Sequence, residues 1–157
     1  MIKVRLKIGD GEILETSSAY NLVFISSDNR FSAPIKEREK SSYSEQEGEN
    51  LSRKSVDDAF DYKTTWFIKA NGSLDNANAI IAQFNEMLYT QMTDSDVKIF
   101  KQVEFYNDYK KVKIVGIPSP IIEANEFWRD ASGVQHDVVA VDWVIRVDKP
   151  SLCDFNL

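Results

Sequence analysis

Ten residues late in the chain constrain its fold more than any other stretch. From Val138 to Val147 the side chains alternate: Val139, Val141, Trp143, Ile145 and Val147 share one face, and Val138, Ala140, Asp142, Val144 and Arg146 share the other. Successive side chains of an extended chain point to opposite faces, so this is a long strand with one apolar face. Asp61 to Lys69 repeats the pattern, with Tyr62, Thr64, Trp66 and Ile68 alternating against Lys63, Thr65, Phe67 and Lys69. Aromatic and β-branched side chains suit a pleated, half-buried surface. Two such strands need further strands or a helix before their apolar faces leave water.

The shorter segments supply both. Ile2, Val4, Leu6 and Ile8 alternate with Lys3, Arg5 and Lys7, and Gly9-Asp10-Gly11 follows as a turn toward a return strand at 12–15. Asn21 to Ser26 reads as a buried strand. Val97 to Tyr106 and Lys111 to Ile117 read as strands joined by a turn at Asn107-Asp108. Ile121 to Arg129 reads as another, followed by a turn at Asp130-Ala131-Ser132-Gly133. One helix is expected. Ser73 can cap it and Asp75 suits its positive end. Leu74, Ala77, Ile80, Ile81, Phe84, Met87 and Leu88 then form an apolar stripe at helical spacing. Strands in runs with a single helix make an α+β domain. The expectation is a mainly antiparallel, sandwich-like β fold of two sheets, with one flanking helix at about 74–90, in a single domain spanning 1–157.

One stretch does not fit a core. Between Lys36 and Ser55 the only sizeable apolar or aromatic residues are Tyr43 and Leu51. Fixing a backbone costs roughly 1–2 kcal/mol per residue, and such a segment buries too little to offset that. It is expected to be a long polar arm or loop at about 28–55, with 36–55 the part that reaches a neighbouring subunit. Over the whole chain 43% of residues are hydrophobic, enough for a core.

Chemistry is sparse. The net charge of −6 argues against a phosphate-binding surface, so no specific nucleic-acid binding is expected. A single cysteine, Cys153, excludes an internal disulfide and a cysteine-built zinc site. A single histidine, His136, excludes a site with two imidazoles from one chain. His136 and Asp137 are neighbours on extended backbone and would point apart. Cys153 sits in a tail and is read as a small hydrophobe tucked against the body. The acidic pairs Asp57-Asp58 and Asp94/Asp96 lack the glycine and closing glutamate of a calcium loop. No apolar run approaches the roughly 20 residues of a spanning helix, and the first residues alternate charge with apolar side chains, unlike a secretory signal. No catalytic residue, metal or cofactor is expected, and no membrane insertion.

The tryptophans say more. Trp66 is followed by Phe67, and Trp128 is preceded by Phe127. Neighbouring large aromatics on strands need cover on both faces of a sheet. One helix covers little of a second face, which leaves a second sheet or another subunit. Exposed Trp66 or Trp128 would also suit a sugar, so a carbohydrate- or protein-binding β-rich module is the alternative.

A resemblance adds a function. Phe60-Asp61-Tyr62-Lys63 through Trp66-Phe67-Ile68, then Asn76-Ala77-Asn78, then Phe84-Asn85-Glu86-Met87-Leu88-Tyr89 resemble a strand and helix of distal-tail and related tail structural proteins of long-tailed bacteriophages and prophages. Phe105-Tyr106-Asn107-Asp108-Tyr109-Lys110 and Val112-Lys113-Ile114-Val115-Gly116 are similar to their strand–turn–strand hairpin, and Ser42 to Glu49 to the polar segment upstream. The likeness spans about residues 40–147. It implies a non-enzymatic virion component that forms a homo-oligomeric ring, typically a hexamer, with other tail proteins as partners. It implies assembly in the bacterial cytoplasm and residence in the virion tail. Many members carry a second, C-terminal domain that these residues do not include, so a tube-like component is also compatible. The structural residues it implies are Asn78, Phe84, Asn85 and Tyr89 on the helix and Tyr106 in the hairpin, holding helix against sheet. Trp66 and Trp128 join them as assembly candidates from their exposure.

Overall fold

A computed structural model describes residues 4–28, 58–92 and 96–157. Nearly all of the expected arm, Asn29 onward, lies outside the described residues, as do Asp57 and Asp94. The fold is α+β and mainly antiparallel. In chain order the elements are β1 (Val4–Ile8), β2 (Leu14–Glu15), α1 (Thr16–Ala19), β3 (Val23–Ser27), β4 (Phe60–Lys69), α2 (Leu74–Met87), β5 (Tyr89–Gln91), β6 (Lys98–Phe100), β7 (Val103–Asn107), β8 (Val112–Pro118) and β9 (Val138–Val147), followed by a 3-10 turn at Pro150–Leu152.

Seven strands form one sheet in the order β2-β1-β7-β8-β9-β4-β3, and β5-β6 form a separate two-stranded sheet. The large sheet folds over on itself at β8. Val112 to Gly116 pair with β7, whereas only Ile117 and Pro118 pair with β9. Gly116 marks the changeover: a Cβ there would stand 2.3 Å from the carbonyl oxygen of Arg146. The two halves then face each other as in a sandwich. Phe105 of β7 lies 6.0 Å from Trp66, 5.9 Å from Tyr62 and 6.2 Å from Phe24, ring centre to ring centre, and all three belong to the opposite half.

The two long strands are the centre of the core, as their alternation demands. β4 and β9 pair over all ten residues, from Phe60 opposite Val147 to Lys69 opposite Val138. Phe60, Tyr62, Thr64, Trp66 and Ile68 are buried, and so are Val139, Val141, Trp143, Ile145 and Val147. Thr64 is polar but fully engaged. Its hydroxyl donates to the Trp143 carbonyl at 2.7 Å and accepts the Trp66 indole N–H at 2.7 Å. Burial without those bonds would cost about 1–3 kcal/mol per group.

Helix α2 begins where Ser73 places it, with the serine oxygen accepting from the Asp75 N–H at 3.2 Å. Its stripe of Ala77, Ile81 and Phe84 is buried, and Phe84 packs edge-on against Trp143 at 5.3 Å and Tyr20 at 5.7 Å. The helix ends at Met87, short of the expected 90, because Tyr89 to Gln91 leave it to pair with Lys98 to Phe100. Tyr89 is therefore a strand residue, packed on Phe100 at 5.8 Å. Met87, expected in the stripe, is exposed.

Four further expectations change. The segment 97–106 is two strands, because β6 and β7 join different sheets. The return strand at 12–15 shrinks to Leu14–Glu15 and leads into a four-residue helical turn. Residues 121–129 are not a strand. They run as a loop across α2, with one isolated bridge between Arg129 and Gln135. The fourth concerns cover for the paired aromatics. Phe67 faces out from β4 and is covered by Trp128 from that same loop, ring centres 4.9 Å apart. Phe127 turns the other way and packs against the core. On the second face the chain's own loop shields Phe67.

Candidate functional site

A groove lies where the large sheet fails to close. The sheet's two outermost strands, β2 and β3, are joined by α1 and lie on either side of this groove of about 320 Å³. Val4, Glu15 and Thr16 line one side, Val23, Phe24 and Ile25 the other, and Tyr109 and Lys110 the end. Asn21, at a φ of +57°, turns the chain into β3. β3 then pairs with β4 through Val23, Phe24, Ser26 and Ser27, and a bulge at Ile25 breaks the register. On its other side β3 has no strand partner among the described residues.

Phe24 turns inward against Trp66 at 5.4 Å. Val23 and Ile25 stay about 40% exposed, and Tyr109 is 68% exposed. The bulge and the bond from Lys110 Nζ to the Ser27 carbonyl at 2.5 Å are the devices that blunt this edge. An edge of this kind offers unpaired backbone groups and apolar side chains together, which is what strand addition requires.

The residues expected to carry structure are dispersed. Trp66 is fully buried and so is not an exposed aromatic platform for a sugar or a partner. Phe84 holds α2 to the core as expected. Asn78 and Asn85 do something not expected of them: they bind the 121–129 loop and not the sheet. Asn78 accepts from the Ala124 N–H at 2.9 Å and donates to the Ala124 carbonyl at 3.1 Å. Asn85 does the same with Ile121, at 2.8 and 2.9 Å. Each side-chain amide copies one rung of a β-ladder, so the loop is held as if paired to a strand.

Tyr106 is remote from the helix. It lies on the outer face of β7, with the Arg5 guanidinium 5.2 Å and the Lys113 ammonium 5.8 Å from its ring centre. Glu104 balances that face by pairing with Lys7 and Lys113, each at 3.6 Å. These are surface pairs of small worth.

Trp128 is part of a cluster that the sequence reading did not assemble. The His136 ring lies 5.1 Å from the Trp128 ring, and its Nε2 bonds to Asp130 at 2.9 Å. The other oxygen of Asp130 accepts from the N–H groups of Ser132 and Val134 at 2.9 and 3.0 Å. His136 and Asp137 do point apart, since Asp137 accepts from the Gly72 N–H at 2.8 Å instead. The signal for the Asp130–His136 pair is the turn at Asp130–Gly133, which folds residue 136 back toward residue 130.

The His136 bond, and after it the Val134 N–H, hold the Asp130 carboxyl below the usual carboxylate range. Because its folded value is depressed, its contribution to stability is present above the ordinary carboxylate pKa and is lost as pH falls through the depressed one. Carboxyl NMR should therefore show Asp130 titrating late on acidification, and His136→Ala should return the midpoint toward the ordinary range. An unchanged midpoint in that variant would show that the histidine bond is not the cause.

Cys153 is half-buried, with its sulfur accepting from the Val115 N–H at 3.3 Å, and burial pushes the thiol up. That makes a poor nucleophile. Burial also raises the Tyr20 and Tyr62 phenols, which remain neutral packing groups. Among the described residues no group of three or more His, Cys, Asp or Glu is placed to hold a metal ion, and no helix is long and apolar enough to cross a membrane.

Comparison with models of protein families, with curated proteins and with solved structures gave no match.

Proposed function

We propose that the chain is a non-enzymatic structural component of a phage or prophage tail that assembles with copies of itself into a closed ring. The observation that carries the reading is the groove at the unclosed margin of the sheet, where the free side of β3 carries exposed Val23 and Ile25. Strand or edge addition there joins one protomer to the next head-to-tail, and a rotation that closes makes a ring. The resemblance of the β4–α2 and β7–β8 segments to distal-tail proteins supplies the biological setting: a virion tail put together in the bacterial cytoplasm, with other tail proteins above and below. A hexamer is the ring size that resemblance implies. The 36–55 arm proposed to reach the neighbour lies outside the described residues, and the reading rests on the β3 edge without it. A charge on an edge strand opposes edge-to-edge pairing.

Native mass spectrometry across a concentration series tests this. The expected result is a discrete ring that grows in with concentration. Ile25→Lys should shift the population to monomer and leave the thermal unfolding of the monomer within about 0.5 kcal/mol of the parent, as for most surface changes. A monomer at every concentration, with and without that substitution, counts against the proposal.

A further inference from the structure

Trp128 stands between two shallow hollows. One, of about 410 Å³, is lined by Phe67, Lys69, Asn71, His136 and Asp137 as well as the indole. The other, of about 270 Å³, shares Trp128 and adds Glu126, Phe127 and Arg129. We propose that the larger hollow is a carbohydrate site that takes the face of one pyranose ring against Trp128, with the smaller hollow receiving a linked residue. The proposal is independent of ring assembly, because it lies on the outer face of β4 and β9 and not at the groove.

Three observations carry it. The first is an aromatic wall with a preset orientation. Phe67 at 4.9 Å and His136 at 5.1 Å lie against the indole, and the backbone is pinned as well, the Trp128 backbone N–H donating to the Val138 carbonyl at 2.8 Å and the Trp128 carbonyl accepting from the His136 backbone N–H at 3.0 Å. Partly exposed and packed against those two rings, the indole offers apolar surface at little further entropic cost.

The second is the polar rim. Asp137 uses one oxygen on the Gly72 N–H and His136 uses Nε2 on Asp130. Each side chain is thus anchored by one atom, and its other oxygen or nitrogen has no partner among the described residues. With Nε2 engaged by the carboxylate, Nδ1 of His136 is the ring's second hydrogen-bonding atom. The Lys69 ammonium and the Asn71 amide likewise make no bond there among the described residues. Donors and acceptors therefore surround the apolar wall together, which suits hydroxyl groups that both donate and accept.

The third is what the hollow discourages. Asp130, Asp137 and Glu126 oppose a phosphate. At Val138 the far side of β9 is taken by the Trp128 loop, whose backbone N–H donates to the Val138 carbonyl at 2.8 Å, which leaves that position closed to an added peptide strand.

The test uses the full chain and four probes: the methyl glycosides of glucose, galactose, mannose and N-acetylglucosamine. Trp66 and Trp143 are fully buried, so a sugar-dependent change in tryptophan fluorescence reports Trp128. The expected result is a saturable change for at least one glycoside with a dissociation constant on the order of 1 mM, accompanied by saturation transfer to its ring C–H protons. Trp128→Ala should abolish both. His136→Ala and Lys69→Ala, surface changes that leave the fold intact, should each weaken binding about tenfold and keep the test decisive if the tryptophan variant misfolds. No saturable transfer from any of the four glycosides overturns the proposal. So does transfer that survives unchanged in both surface variants.

Discussion

Gly116→Ala is expected to lower the stability of the fold by about 3 kcal/mol or more, the upper end of overpacking changes. The added methyl would stand 2.3 Å from the Arg146 carbonyl oxygen, 2.8 Å from Ile145 Cγ2 and 2.9 Å from the Arg146 carbonyl carbon. Two of those atoms are backbone of β9, a strand paired along its length with β4, so the neighbour has nowhere to go. The methyl has to push β8 off β9 where the two halves of the sheet are stitched, Ile117 opposite Arg146 and Pro118 opposite Ile145. In a chain of 157 residues, 3 kcal/mol corresponds to a fall in Tm of roughly 6–12 °C. Denaturant unfolding checks it. A variant within about 1 kcal/mol of the parent would show that the crossing tolerates a side chain, and that the close approach of β8 to β9 does not depend on glycine.

The second large effect is expected from the paired substitution Asn78→Ala with Asn85→Ala. Each asparagine satisfies both backbone groups of one loop residue, Ala124 and Ile121 respectively. Removing a partner from a buried or half-buried backbone group costs about 1–3 kcal/mol. Ile121 is only 3% exposed, so water cannot simply take over at that end. The two sites are seven residues apart, roughly 10 Å along the helix, and share no partner, so the losses should add. The local consequence is more telling than the total. The loop carries Trp128, and releasing it uncovers Phe67. Hydrogen exchange should rise at the N–H groups of Ile121 and Ala124 in the double variant, and acrylamide should quench one tryptophan more readily. Unchanged exchange at those two amides would mean that the loop is held by its apolar contacts alone.

The same loop shows what could and could not be read from residues. Ile121, Ile122, Phe127 and Trp128 have the composition of a strand, and a strand is what local pattern suggests. Its backbone partners are amide side chains on a helix 36 and 46 residues earlier in the chain. Nothing in the local sequence encodes that, because an asparagine at helical spacing reads as a solvated position. The cover for Phe67 is hidden from local pattern for the same reason: the covering ring comes from a loop bonded to those two asparagines. The Asp130–His136 pair was closer to legible, since a turn of known position separates its members.

Among the residues singled out beforehand, Phe84 kept the packing role expected of it. Trp66 and Tyr106 did not share a site with the helix. Alternation put Trp66 and Phe67 on opposite faces of β4 but left open which of them is buried, and the structure buries Trp66. It could not tell what lies above the other face.

What the sequence determined alone is whatever repeats over a few residues. The period of two in β4 and β9, the serine cap and apolar stripe of α2, and the glycine and Asp-Gly turns are local sterics and local burial, and they put the chain in the mainly antiparallel α+β class. Only the tertiary structure decided that β8 belongs to both halves of one sheet, that β3 is left as an edge beside a groove, and that the 121–129 loop covers Phe67. Those are outcomes of which distant surfaces meet, and a contact between residues dozens of positions apart leaves no periodic trace in either partner.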